Sequence, residues 1–456
     1  MLNLLGLSLI LLGSGFSSQQ GQTYSILQER NGLQNVFARL KEGVPIRIAY
    51  VGGSVTAGAG ASQIGKTDWR SQTTAWFKRQ YPASNIEEID DFSSDCGSLL
   101  AAFKFQQSVL TRHPDLVFLE FSGTDLQTGT DDAVRAVEGI VRHIRLADPS
   151  TEICFVHPLH RSMLTDYAHG KLPPSVFIEE TVAAHYQLSS VNFGAYVAEQ
   201  IRGGQLDWNS FSQGDLYPTD AGHATYLDVL TGFLANLSQH VNRHASPYRL
   251  TIPIKSDAFD AGSYVEASAL RADSRYWKLT PGVAGTAIPQ ALVSVDSALE
   301  RAPITVSFQG TAVGLHLSCD SSGPTNVEYR LDAGAWSTVA TSGKPAGPSA
   351  VILGADLKQG LHTLEIRSRQ SATAAPVSIH GILLNGETVK NSAVMNTAER
   401  QAPRAFALTV PRSMEYSTKS ASSFHTRIPV RSCIATITGR GVVATVYPVF
   451  LTKQPI

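Results

Sequence analysis

Between about residue 45 and residue 241 the chain alternates short, almost wholly apolar runs with amphipathic stretches, and no other feature restricts its fold so tightly. IRIAYVGG, DLVFLEF, EICFV and SSVNF are the runs expected of strands covered on both faces. Between them, residues 69–79, 99–112, 131–147 and 176–186 have helical spacing. A last helix is expected after Pro218, with His223, Leu227, Leu230, Leu234, Leu237 and Val241 on one stripe. Strand–helix alternation implies a parallel sheet with right-handed crossovers and helices on both faces. In such sheets a ligand lies at the carboxyl ends of the strands.

Beyond Asn242 the period shortens to two. ITVSFQG, AVGLHLSC, NVEYRLDAG, HTLEIRS and VSIHGILLNG, within residues 304–385, predict an all-β sandwich of jelly-roll type, with a hairpin turn at 332–334. Residues 246–303 are expected to add a first strand or two. From Thr397 onward eight Lys/Arg stand against two Glu, a net of +6, in what is either a small β appendage or a poorly ordered tail. At the other end, MLNLLGLSLILLGSGFSSQQ has the length of a signal-peptide core and is too short to span a bilayer. A buried N-terminal helix is the alternative. The expected organisation is a signal peptide at 1–22, a lead-in at 23–44, an α/β domain at 45–241, a β-sandwich at 246–389 and a basic extension at 390–456. Such a chain is exported, to a periplasmic or extracellular space.

A formal net charge of −1 gives no reason to expect nucleic acid as a partner. Cys96, Cys154, Cys319 and Cys433 have no CxxC spacing, so neither a zinc site nor a cofactor is expected, and no disulfide is predicted.

IAYVGGSVTAGAG carries a buried strand into a Gly-rich turn with Ser54 at its tip, a geometry that presents a nucleophilic hydroxyl. A phosphate would also suit such a turn, but the spacing is neither GxGxxG nor GxxxxGK[ST]. GGSVTAG, followed by SSDCGS, LEFSGTD and GDLYPTDAGH in that order, resembles the four blocks of the SGNH hydrolases, the GDSL-like esterases. The likeness covers about residues 45–241 and is closest to bacterial exported members with a β-sandwich behind the hydrolase domain. It implies a three-layer α/β/α fold with a flavodoxin-like parallel sheet. It also implies that Ser54 is the nucleophile. Its backbone N–H, with Gly53 beside it, would help form an oxyanion hole together with a block-two glycine and a block-three asparagine. A DxxHP segment would supply the histidine base and the aspartate that orients it.

Several positions depart from that pattern. Thr124 stands at the asparagine position. Asp95 stands at the glycine position, with Gly97 two residues on. Tyr217 replaces the histidine and Gly214 the aspartate, while Asp215 falls one residue late. A phenol, with an ordinary pKa of about 10, is not a base at neutral pH. Losing a triad member costs about 10⁴ in rate, and losing one oxyanion donor roughly 10² to 10³. His157 and His160 follow a strand and are the possible substitute bases, whereas His223 reads as a packed helix residue. Glu120, Asp125 and Asp68 lie near the same edge and read as capping or solvated groups. In the β region Trp277, Tyr329 and Trp336 are aromatics available for sugar rings. Trp336, beside the hairpin turn, is the better binding residue, and Tyr329 reads as core. Three readings follow: an esterase fold that binds acylated carbohydrate with a degenerate site, a working serine esterase acting on carbohydrate O-acetyl groups or another small ester through a substitute base, or a structural envelope protein.

Overall fold

The computed structural model describes residues 24–92, 97–126, 128–241, 246–255, 257–281, 288–295, 303–319, 327–339, 347–368, 377–389, 436–438 and 441–443. The expected signal peptide and Asp95 lie outside these residues. Two compact units are formed, residues 1–393 and 394–456.

The first part of the larger unit runs β1 (Leu27–Gln28), α1 (Gln34–Lys41), β2 (Ile46–Gly52), α2 (Trp69–Gln80), β3 (Ile86–Phe92), α3 (Gly97–Ser108), β4 (Leu116–Glu120), α4 (Thr130–Ala147), β5 (Glu152–Val156), α5 (Leu164–Ala168), α6 (Pro174–His185), β6 (Ser189–Val191), α7 (Phe193–Arg202), α8 (Trp208–Phe211), β7 (Ser212–Gln213), β8 (Tyr217–Pro218) and α9 (Asp220–Gln239). One six-stranded sheet has the order β1-β6-β5-β4-β2-β3. Strands β2 to β6 are parallel, and β1 pairs antiparallel with β6. Counted from β2, this is the flavodoxin-like order, and the chain reverses direction across the sheet between β2 and β4.

The period of two along each strand divides the apolar side chains between two cores. Ala49, Val51, Val117, Leu119, Ile153 and Phe155 face one core with α3, α4 and α6. Ile48, Tyr50, Leu116, Phe118, Cys154 and Val156 face the other with α1, α2, α7 and α9. Helix starts follow the side-chain chemistry of caps: Asp68 accepts Ser71 N–H, Asn192 accepts Ala195 N–H, and Thr219 accepts Gly222 N–H.

Several elements of this part lie outside the sequence expectation, α1, α7 and β3 among them. Helix α1 occupies the stretch read as lead-in, and α7 begins at the last residue of the run SSVNF and continues through residues given no element. Strand β3, IEEIDDF, is too acidic to read as a strand, yet it forms the sheet edge, where Arg70 pairs with Glu88 and Asp90.

The second part adds β9 (Gly262–Glu266), β10 (Trp277–Pro281), β11 (Gln290–Ser294), β12 (Ile304–Cys319), β13 (Val327–Leu331), β14 (Ser337–Thr338), β15 (Gly347–Gly354), β16 (Gly360–Ser368) and β17 (Ser378–Thr388). All are antiparallel. The two segments expected at 304–310 and 312–319 are one long strand, β12, whose first half pairs β16 and whose second half pairs β15. A register shift between Gly310 and Ala312 lies between the halves. The apolar faces enclose Phe308, Leu315, Leu364, Ile366, Ile379 and Ile382. Trp277 is 2% exposed within this core, so it offers no ring to a sugar. Tyr329 is also packed there and donates to Leu353 O. Tyr264, Ala312, Ala350 and Leu383 join the core of α3 and α4, which seats this β part directly on the α/β layers. In the smaller unit β18 (Thr436–Thr438) pairs β19 (Gly441–Val443). The rest of the basic stretch lies outside the described residues.

Candidate functional site

Strands β2 and β4 end side by side where the sheet order reverses, and there the sequence places Gly52-Gly53-Ser54 and Ser122-Gly123-Thr124-Asp125. After β2 the backbone winds into a tight turn, with Ala57 N–H on Gly53 O at 3.0 Å and Ala59 N–H on Ser54 O at 2.9 Å. A side chain at Gly53 would collide with Thr124 Cγ2, and one at Gly97 with Asp125 Oδ1. Gly97 also sits at φ +57, which favours glycine. Absence of side chains at these two positions therefore lets the ends of β2 and β4 and the start of α3 close on one another. Ser54 is half-buried at this corner.

Four donors around Ser54 have internal acceptors. Thr124 Oγ1 donates to Phe121 O at 3.0 Å. Ser98 N–H, one residue into α3, donates to Asp125 Oδ1 at 3.0 Å. Gly53 N–H donates to Glu120 Oε2 at 3.1 Å, and Thr56 Oγ1 donates to the same oxygen at 2.8 Å. Among the described residues, no hydrogen-bond partner meets Ser54 Oγ.

The start of the GDLYPTDAGH segment supplies the tip, Gly214-Asp215-Leu216, and the second strand of a small hairpin, β7 against β8. Gly214 adopts φ +74, and a side chain built on it would meet nothing within 4 Å. Strand alternation turns Leu216 inward, beside Pro158 and Gly123, and leaves Tyr217 45% exposed. The hairpin is tied to its neighbours by backbone. Trp208 Nε1–H donates to Gly214 O at 2.9 Å, and Arg161 N–H donates to Asp215 O at 2.7 Å. Asp215 pairs loosely with Arg161 at 4.0 Å. His223 is wholly buried, accepting Trp69 N–H and reaching Ala59 O, so it pins the end of the Ser54 turn to α2 and α9.

His160 caps a short helical turn, its Nδ1 beside Ser162 N and Oγ. His157 has 0% exposure and lies between Glu179 Oε2 at 2.6 Å and Glu180 Oε1 at 2.9 Å. Burial opposes its charge, but the carboxylates on its two nitrogens prevail and push the imidazole up to about 9. Glu180 also meets Arg30 at 2.5 Å, and despite burial these partners pull it down to about 2. Neither ring nitrogen of His157 is a free base in this arrangement. Burial pushes Asp125 up to about 7 and Glu120 up to about 8, the latter with Glu179 adding to the effect.

The acidic groups at this edge thus differ from their sequence reading in part. Asp68 caps α2 as expected of a capping group, while Glu120 is buried rather than solvated. Arg30, Glu179 and Glu180 were missed altogether, although a glutamate pair inside the apolar helix SVFIEETV was a visible signal. Remote from this edge, the half-buried Trp336 ring carries Arg367 at 3.9 Å and Arg330 at 4.8 Å, and these arginines pair across strands with Glu328 and Glu365. Among the described residues no group of three His, Cys, Asp or Glu side chains is placed to hold a metal, and no helix is long and apolar enough to cross a membrane.

A doubly wound parallel sheet with a serine-bearing turn at its switch point, backed by a large antiparallel β region, defines a two-part protein with an SGNH-type α/β fold. Residues 50–225 match the GDSL-like lipase/acylhydrolase family, and the chain carries a domain of that family. Its fold is similar to that of a two-domain esterase active on acetylated mannans, with 18% identity, TM-score 0.63 and coverage of 77% of this chain and 94% of the other. The same esterase co-crystallised with mannopentaose gives 18% identity and TM-score 0.62, covering 80% and 100%. No curated protein matches the chain.

Proposed function

We propose that this is an exported protein that binds acylated carbohydrate at the Ser54 edge and hydrolyses it weakly or not at all. The observation that carries the reading is that Ser54 Oγ meets no base among the described residues, while Thr124 Oγ1, Ser98 N–H and Gly53 N–H are spent on Phe121 O, Asp125 and Glu120. A serine hydroxyl without a base is a poor nucleophile, and each donor spent on an internal acceptor is one fewer for an oxyanion. The hairpin adds support, because the Gly214 position points into open space and Tyr217 faces outward. An acylated glycan as ligand agrees with the substrate of the structurally similar mannan esterase, and export with the apolar N-terminal run.

An active esterase is the second reading. It is favoured by the intact Gly52-Gly53-Ser54 turn and by His160 on the same edge. The deciding assay measures hydrolysis of a short-chain aryl acetate by the wild type and by Ser54→Ala. The binding reading expects equal, near-background rates from both, together with retained binding to acetylated mannan. Turnover that disappears in Ser54→Ala would sink it.

A further inference from the structure

The shape of this corner depends on a residue that the sequence alone does not single out as structural. Glu120 closes β4, in the run LVFLE, and is 1% exposed. Its Oε2 accepts both Gly53 N–H at 3.1 Å and Thr56 Oγ1–H at 2.8 Å, from residues on either side of the serine. Its Oε1 is buried and makes no well-formed hydrogen bond, with the Gly123 backbone, Pro158 and Leu216 around that position.

Among the described residues no cation reaches Glu120. The ring of His157 is held by Glu179 and Glu180 through both nitrogens, and Arg30 is held by Glu180. Among the described residues, the titratable groups that bear on Glu120 include Glu179 from α6 and Tyr226 from α9, of which the first repels a carboxylate and the second offers no positive charge. A carboxyl enclosed in this way, with only neutral donors, keeps its proton.

We propose that Glu120 is the positioning residue of the Ser54 turn: its buried, neutral carboxyl clamps Gly53 and Thr56 and so sets where the serine stands. This deepens the reading of the Ser54 edge as the ligand site, since it names what holds that edge in shape. Gly52 is required by the same clamp. A side chain at Gly52 would press on Thr56 Oγ1 and on Glu120 itself at 2.7 to 2.9 Å. The displacement of either partner would leave Glu120 Oε2 short of a donor in the interior.

Two measurements on the full chain test the clamp. Amide hydrogen exchange over residues 53–59 is expected to be roughly tenfold faster in Glu120→Ala than in the wild type, and close to wild type in Glu120→Gln, which keeps a neutral acceptor. The second measurement is the melting temperature of wild type and Glu120→Gln against pH. A carboxyl raised from 4.5 to about 8 binds its proton more tightly in the folded state. Wild-type stability relative to Glu120→Gln is therefore expected to fall as pH rises from 4.5 toward 8 and to level off above that. If Glu120→Ala proves too unstable to examine, the Gln pH comparison decides alone. Parallel pH curves for the two proteins, or unchanged exchange at residues 53–59 in Glu120→Ala, overturn the proposal. Neither readout uses a glycan, so the clamp stands or falls separately from the binding reading.

Discussion

The two loops that meet at the Ser54 edge have been treated differently by the fold. The corner built from Gly53, Gly97 and Thr124 is tightly closed, and Gly53 N–H, Ser98 N–H and Thr124 Oγ1 each have an internal acceptor. The β7–β8 hairpin opposite keeps its backbone anchors, yet its side chains turn out to solvent at Tyr217 and vanish at Gly214. Backbone placement and side-chain chemistry are thus separable: the hairpin is anchored through its backbone whatever its side chains present. The corner is held by what lies beneath it, and the hairpin by backbone contacts that any side chain at 217 permits.

Substitutions graded by burial test that contrast. The largest expected effect is at the buried ion network. His157→Ala leaves Glu179 and Glu180 without their shared cation and is expected to cost about 3–5 kcal/mol in denaturant unfolding. Because the imidazole is raised from 6.5 to about 9, its contribution is fully present below pH 6.5 and lost as pH rises through 9. A wild-type advantage over His157→Ala that is flat across that window would refute the network's role. Next comes Gly53→Ala, which forces Thr124 aside and is expected to cost about 1–3 kcal/mol by overpacking. If Thr124 yields freely the cost falls to zero, and the corner is less tightly built than described. The smallest effect belongs to Tyr217→Ala, expected within about 0.5 kcal/mol of wild type in denaturant unfolding. A large stability loss there would erase the distinction between corner and hairpin.

Much of the α/β layer was legible in advance because burial on both faces leaves a plain mark, as in IRIAYVGG and EICFV. The acidic strand β3 was not legible: its carboxylates are tolerated by an edge position and by Arg70, neither of which is a local property. Helix α7 was hidden because Asn192 ends one element and caps the next within a single residue. At the site, Ser54, Thr124, Tyr217 and Gly214 were recognisable by order along the chain. The partners of His157 were not, since Glu179, Glu180 and Arg30 come from distant segments. Trp336 was singled out for its place beside a turn, and the structure adds two arginines over its ring.

The sequence by itself determined the strand–helix alternation, the switch in period after residue 242 and the order of the site blocks, because these follow from local periodicity and turn chemistry. Only the tertiary structure decided which carboxyl holds the Ser54 turn, which histidine is locked in the interior and which way Tyr217 faces. Those outcomes depend on burial and on the charges that packing brings together, and electrostatic energies in the interior change far more with environment than with residue type.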